Sequence, residues 1–297
     1  MTTDPEGLTL SLVLGSGGAR GCAHIGVIRC LEEAGYRIES ISGCSMGAVI
    51  GGVFGLGKLD EFEAWVRAIR KPDIVSLLDF ALTGGGLVRG DKVIGVLTEI
   101  CGRGRIEDMP IRFTAVAADV AAEKEVWITS GPVFDAIRAS VSLPLILTPF
   151  ERDGVQLVDG GVLNPVPIAP TFHDETDFTT AVSLGGDPEM FQPPEAQARH
   201  EAEREGTPLR GKIQDFVGAL RPSSDAKESS RSWSVIEVAD KSFDAMQSTI
   251  ARQKLAAYPP DHLIEIARNQ CGTTDFDRAD ELIELGYRKM QELLPRL

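Results

Sequence analysis

The sequence predicts an α/β fold, a three-layer α/β/α sandwich around a central, mainly parallel sheet. Three observations predict it. Short apolar runs of strand character alternate with segments of helical period along most of the chain. The first run, Leu8 to Leu14, feeds into the glycine-rich turn Gly15-Ser16-Gly17-Gly18-Ala19-Arg20-Gly21. The second, Ile38 to Ser42, feeds into Gly43-Cys44-Ser45-Met46-Gly47. Both are strand–turn–helix junctions, which parallel strands need because they can be joined only by a crossover. At 297 residues, 43 % hydrophobic and 25 % charged, the chain is expected to fold as a single domain over 1–297.

The elements follow in order. After the glycine turn a helix is expected from Ala19 to Ala34, with Ile25, Ile28 and Leu31 facing the core. A second helix runs from Met46 to Leu56, and an amphipathic third from Asp60 to Arg70, which Pro72 should end. Thr83–Arg89, holding Gly84-Gly85-Gly86, reads as a loop, and Asp91–Cys101 as a helix. Arg112–Ala118 is a strand with Val126–Thr129 as its partner. Asp135–Ser140 is a short helix halted before Pro144. Val155–Val158 leads as a strand into Asp159, and Thr180–Leu184 is a buried strand. A helix from Ser234 to about Leu255, a strand His262–Ile266 and a helix Asp277–Leu294 complete the chain. No repeat of 20–50 residues interrupts this order.

Composition shifts between Gly185 and Arg231, which are rich in Pro, Glu, Arg, Ser and Gln and poor in apolar residues. A mobile insertion or lid is expected at about 186–232. Within it Leu209, Ile213, Phe216, Val217 and Leu220 recur at helical spacing, with Arg210, Lys212 and Arg221 nearby. The pattern fits a lid or surface helix, and also an interfacial helix dipping into lipid.

The formal net charge of −14 argues against a nucleic-acid partner, whose phosphates need a basic surface. It also disfavours broad docking on anionic lipid, while leaving peripheral membrane contact through a local basic patch open. The five cysteines are scattered, odd in number and without a C-x-x-C pair, so neither a disulfide framework nor a zinc site is expected. The opening MTTDPEGLTL lacks a signal layout, and the longest apolar stretch, Ile41–Gly57, is too short and glycine-rich to span a membrane. These readings point to the cytoplasm, with contact at the inner face of the membrane left open.

Gly43-Cys44-Ser45-Met46-Gly47 is a G-x-S-x-G nucleophile elbow, a tight turn that pushes the serine hydroxyl into a cleft. A serine becomes reactive only when a base takes its proton and donors stabilise the oxyanion. The glycine turn can supply the donors, because residues without Cβ let consecutive N–H groups converge at a helix start. Gly17 and Gly18 are the best placed, with Ala19 or Arg20 next. Arg20 could close the turn by a hydrogen bond or sit near a lipid phosphate. Taken alone, the turn also suits a dinucleotide, with Gly15, Gly17 and Gly21 in a G-x-G-x-x-x-G pattern and Glu39 near the ribose-binding position. Ser45 and Asp159 have no part in that reading and favour hydrolysis.

The base is not an evident histidine. Of the four, His24 faces inward on a helix, His200 falls in the insertion and His262 precedes a short strand; His173 is the passable triad candidate, and none carries a local motif. Asp159, at a Val-rich strand end before Gly160-Gly161, is better placed, although Asp-Gly turns are common. An ordinary aspartate is a weak base, so a Ser–Asp dyad would need burial to raise its pKa.

GSGGARGCAHIGV, GCSMG and DGG, in that order, resemble the patatin-like phospholipase family. GARGCAHIGV followed by GCSMGA is nearest the branch containing neuropathy target esterase and bacterial relatives, and DKSFDAM and YPPDHLIEI look like that branch too. The resemblance implies a patatin-like sandwich, Ser45 as nucleophile, Asp159 as base, Gly17, Gly18 and Ala19 as oxyanion donors, and neither metal nor cofactor. It implies a phospholipid or lysophospholipid substrate. Ser140-Val141-Ser142-Leu143-Pro144 resembles the family's stretch ahead of its base strand, with bulkier residues. Arg20, Met46, Leu143, Leu145 and Ile146 are substrate-side candidates, and for the apolar ones core packing is an equal reading. A regulatory or membrane-recruited protein with little turnover is the alternative. Head group, chain length, bond position and oligomeric state are not set by the sequence.

Overall fold

A computed structural model describes residues 7–77, 86–188 and 235–297. The strands are β1 Thr9–Leu14, β2 Arg37–Cys44, β3 Gly86–Val88, β4 Arg112–Asp119, β5 Lys124–Ile128, β6 Leu145–Leu147, β7 Phe150–Arg152, β8 Val155–Asp159, β9 Phe178–Gly186 and β10 His262–Ala267. The α-helices are α1 Ala23–Glu33, α2 Met46–Gly55, α3 Leu59–Ala68, α4 Lys71–Ser76, α5 Asp91–Cys101, α6 Val133–Ser140, α7 Val235–Ala257 and α8 Ala279–Leu293. By compactness, 1–188 with 241–297 form one unit and 189–240 another. Of the second, only the opening of α7 lies among the described residues, so the expected insertion beyond residue 188, its amphipathic stretch and His200 lie outside them.

Eight strands form the main sheet in the order β10-β9-β1-β2-β4-β8-β7, with β5 paired to β4. The run from β10 to β4 is parallel, and β5, β8 and β7 join antiparallel. Alternation along β1 shows why helices cover both faces. Leu10, Leu12 and Leu14 belong to the main core with α1, α2 and α8 residues. Val13 points the other way, against Val166, Ile168, Ala181 and Ala251 of α7. The result is the α/β/α sandwich. No helix among the described residues is long and apolar enough to cross a membrane.

Several local expectations are corrected. The helix after the glycine turn begins as a 3-10 turn, Gly18–Cys22, before α1 proper. Pro72 does not close a helix but sits in the first turn of α4, where its missing N–H has no intrahelical role anyway. Part of the expected Thr83–Arg89 loop is β3, which pairs parallel with β6 in a separate two-stranded sheet. Neither β6 nor β7 carries an alternation long enough to read from sequence.

One junction sets the site. β2 pairs with β4 as far as Cys44 opposite Val116. β8 then takes up β4 at Ala117 opposite Asp159. The end of the elbow strand and the end of the Asp159 strand therefore meet at consecutive residues of one strand.

Candidate active site

Ser45 stands between β2 and α2 with φ 54° and ψ −121°, a conformation that non-glycine residues seldom adopt. Strain of this kind costs about 1–3 kcal/mol and persists where surroundings over-determine it. Here the determinant is Ser140, the last residue of α6. Its hydroxyl accepts the Ser45 N–H at 2.9 Å and donates to the Val116 carbonyl at 2.6 Å. The next turn of chain treats the aspartate likewise: the Asp159 N–H donates to the Ser142 carbonyl at 2.9 Å. The end of α6 and the residues just after it thus pin both backbones.

Asp159 is 1 % exposed. Its Oδ1 accepts the Gly161 N–H at 2.7 Å and the Cys44 thiol at 3.8 Å. Burial pushes its pKa up to about 6, against the opposing pull of hydrogen bonding from the Ser45 hydroxyl, then from Gly161 and Cys44. Near neutral pH the carboxylate is still mostly ionised yet more basic than an exposed one. Burial, with Asp159 next in effect, drives the Cys44 thiol well above its ordinary value, so Cys44 stays a protonated donor beneath the carboxylate. Gly160 must be glycine because a Cβ there would lie 2.2 Å from the Val116 carbonyl oxygen.

The glycine turn distributes its amides unequally. Gly15 N–H donates to Val182 O, Ser16 N–H to Pro165 O and Ala19 N–H to Thr273 O, at 3.0, 2.8 and 2.9 Å. The Gly17 and Gly18 amides take no acceptor among the described residues. Gly18 has φ +56°, and a Cβ on it would sit 2.5 Å from the Thr273 carbonyl oxygen. Of the donors expected at 17–19, Ala19 is therefore already engaged. Arg20, 3 % exposed, donates from Nε to Gly17 O at 3.1 Å, from one terminal nitrogen to Arg268 O at 2.7 Å, and from the other to Asp244 at 2.9 Å. It closes the turn, and each of the three guanidinium nitrogens has a partner within the protein.

The histidines separate cleanly. His24 is fully buried, and its Nε2 meets Gly15 O at 2.8 Å. Burial holds its pKa down at about 4, so the ring is neutral and props the start of the glycine turn. His173 is exposed, and His262 packs edge-on against Phe178. Of the apolar candidates, Met46 is buried and fills the space above Gly21, where a Cβ would lie 2.2 Å from its Cγ. Leu143 is half-buried, Ile146 is at the surface, and Leu145 is 66 % exposed at φ 69°. Core packing is thus excluded for Leu145. Sequence reasoning missed Ser140 and Ser142 as backbone pins; the SVSLP stretch was their one visible trace.

Fold and site define an elbow-serine protein of the α/β class, with a buried carboxylate at the elbow and, on a glycine turn, two amides that have no acceptor among the described residues. Residues 12–172 match the patatin-like phospholipase family, more than half of the chain, and the chain belongs to that family. An uncharacterized NTE family protein of Mycobacterium tuberculosis (strain H37Rv) is 39 % identical over 320 residues, covering 93 % of this chain and 89 % of that protein. Lysophospholipase NTE1 of Pyricularia oryzae is 27 % identical over 302 residues, covering 98 % of this chain and 19 % of that one. VipD from Legionella pneumophila shares the fold, with a TM-score of 0.59 at 15 % identity over 98 % of this chain and 67 % of that one. Family and relatives together support a lipid hydrolase.

Proposed function

We propose that the protein is a serine lipid acyl hydrolase that cleaves fatty-acyl esters of phospholipids or lysophospholipids through a Ser45–Asp159 dyad. The observation that carries this reading is Ser45, held at a strained elbow against a buried aspartate whose pKa is raised to about 6. The ester carbonyl lies between the Ser45 hydroxyl and the Gly17 and Gly18 amides. Asp159 takes the hydroxyl proton as Oγ bonds to the carbonyl carbon, and the two amides stabilise the oxyanion. The tetrahedral intermediate collapses by breaking the bond to the alcohol, which leaves with the proton from Asp159. The acyl-enzyme is then attacked by water, with Asp159 accepting the water proton and returning it to Ser45.

The apolar surface at Leu145 and Ile146, beyond the Ser142 pin, supports acyl-chain entry from that side. Contact with a membrane surface belongs to the same reading, since these substrates reside there.

The test is labelling by a fluorophosphonate and fatty-acid release from lysophosphatidylcholine, beside Ser45→Ala and Asp159→Asn. Both activities should be present in the wild type and lost in both variants. Their rise with pH should have a midpoint at about 6, following ionisation of Asp159. A folded wild type that neither labels nor releases fatty acid, with detergent or membranes added, would overturn the reading.

A further inference from the structure

Helix α7 lies outside the segment 12–172 that matches the family, yet one face of it touches the working parts of the site. Gln247 is buried, and its Nε2 donates to the Ser16 hydroxyl at 3.1 Å. The same Nε2 lies 2.1 Å from the point where a Cβ on Gly161 would stand, and Asp159 Oδ1 lies 3.0 Å from that point. The Gln247 amide thus sits directly over Gly161, beside the base. One turn earlier, Asp244 takes the Arg20 guanidinium at 2.9 Å. Arg20 in turn holds the Gly17 carbonyl. One residue after Gln247, Ser248 abuts Gly185 at the end of β9, where a Cβ would meet its Oγ at 3.2 Å. Positions 244, 247 and 248 share one helix face.

We infer that Gln247, supported by Asp244, is a positioning residue that fastens the amide-bearing glycine turn to the turn carrying Asp159. This rests on the Ser45–Asp159 reading above. Free amides stabilise an oxyanion only if they stand at the right distance from the attacked carbonyl, and the attacking group is placed by a different part of the chain. Ser16, which precedes the Gly17 and Gly18 amides, and Gly17, which carries the first of them, are each tied to α7: the first by Gln247, the second through Arg20 to Asp244. Gln247 also covers Gly161, whose N–H holds the Asp159 carboxylate. Ser16 itself approaches the second turn, its Oγ 2.9 Å from the point where a Cβ on Gly161 would stand and its N–H on the Pro165 carbonyl at 2.8 Å, and Gln247 is the α7 side chain that touches both turns. The ionisable neighbour of Asp159 among the described contacts is Cys44 of β2, which donates to it; Glu125 of β5, whose charge acts on Cys44, is ion-paired to Lys254 farther along α7.

The experiment uses the full chain and measures fluorophosphonate labelling rates across pH. The variants are Gln247→Ala, Gln247→Glu, Ser16→Ala and the Ser16→Ala/Gln247→Ala double, each checked for its thermal midpoint. Loss of the hydrogen bond should slow labelling about ten-fold in either alanine variant. The double should be about as slow as each single, since both remove one interaction. Gln247→Glu places a second carboxylate beside Asp159 and should move the acid limb up by about one pH unit, which reports that position 247 stands next to the base. Wild-type rates and an unmoved acid limb in folded Gln247 variants would overturn the inference while leaving the dyad intact. Absence of labelling in the folded wild type would overturn both.

Discussion

Replacing Asp159 by Asn should abolish turnover and, above the acid range, make the protein more stable. The carboxylate titrates near pH 6 in the fold against 3.8 for the free side chain. Between those values the native state holds a proton that the unfolded chain has released. Stability therefore falls as pH rises through the window, at up to about 1.36 kcal/mol per pH unit, and the loss above it totals about 3 kcal/mol. Asp159 is 1 % exposed, so solvent screening takes little off this figure. Asn is isosteric and keeps an acceptor for Gly161 N–H and the Cys44 thiol, but it does not titrate. His24 works in the opposite sense: its folded pKa is lowered to about 4, so the stability of its neutral, buried ring is lost as pH falls from about 6.5. Both chains contain His24, and the difference between them removes its contribution. Denaturant unfolding of wild type and Asp159→Asn from about pH 4 to about pH 8 should give curves that separate by about 3 kcal/mol on the alkaline side, or roughly 5–10 °C in Tm. Parallel curves over that range would show that Asp159 is not a strained, desolvated base, and the reasoning from burial to basicity would fail.

The elbow and its pin offer two further checks. Ser45→Gly should be more stable than Ser45→Ala by about 1 kcal/mol, because only glycine is at ease at φ 54°; a more stable alanine variant would deny the strain. Ser140→Ala leaves the Ser45 N–H and the Val116 carbonyl without their shared partner, and should lower stability by about 1–3 kcal/mol while slowing Ser45 labelling at least about ten-fold. Unchanged labelling would mean that the elbow holds its shape without that hydroxyl.

Much of this molecule could be read before its coordinates. The α/β/α sandwich follows from the alternation of apolar runs and helical segments, because period and turn chemistry are local properties of sequence. Ser45 and Asp159 were visible for the same reason: each stands in a short glycine pattern that a sharp turn demands, and the structure brings the two together. What stayed hidden was relational. Nothing in an isolated serine at 140 says that its hydroxyl will meet an amide 95 residues away. The buried face of α7 is a matter of helical period, but whether Gln247 meets another side chain or a backbone depends on where that helix docks. Ala19 stands next after Gly17 and Gly18 as a donor on the sequence alone, and only the fold shows the Thr273 carbonyl, from the far end of the chain, on its N–H. Strands β6 and β7 were illegible because three residues cannot display an alternation, and their pairing is decided by partners elsewhere.

If Asp159 is the base for Ser45, as proposed above, the meeting of β2 and β8 on β4 also bears on when the chain becomes reactive. Cys44 and Asp159 are 115 residues apart, so a chain that has assembled only β1, β2 and β4 owns its elbow but not its proton acceptor. The acceptor arrives only when β8, which lies later in the chain, docks antiparallel at Ala117. Until then Ser45 is an ordinary alcohol. On that reading an incomplete chain is chemically silent, and the order in which its strands are made sets when the serine can react.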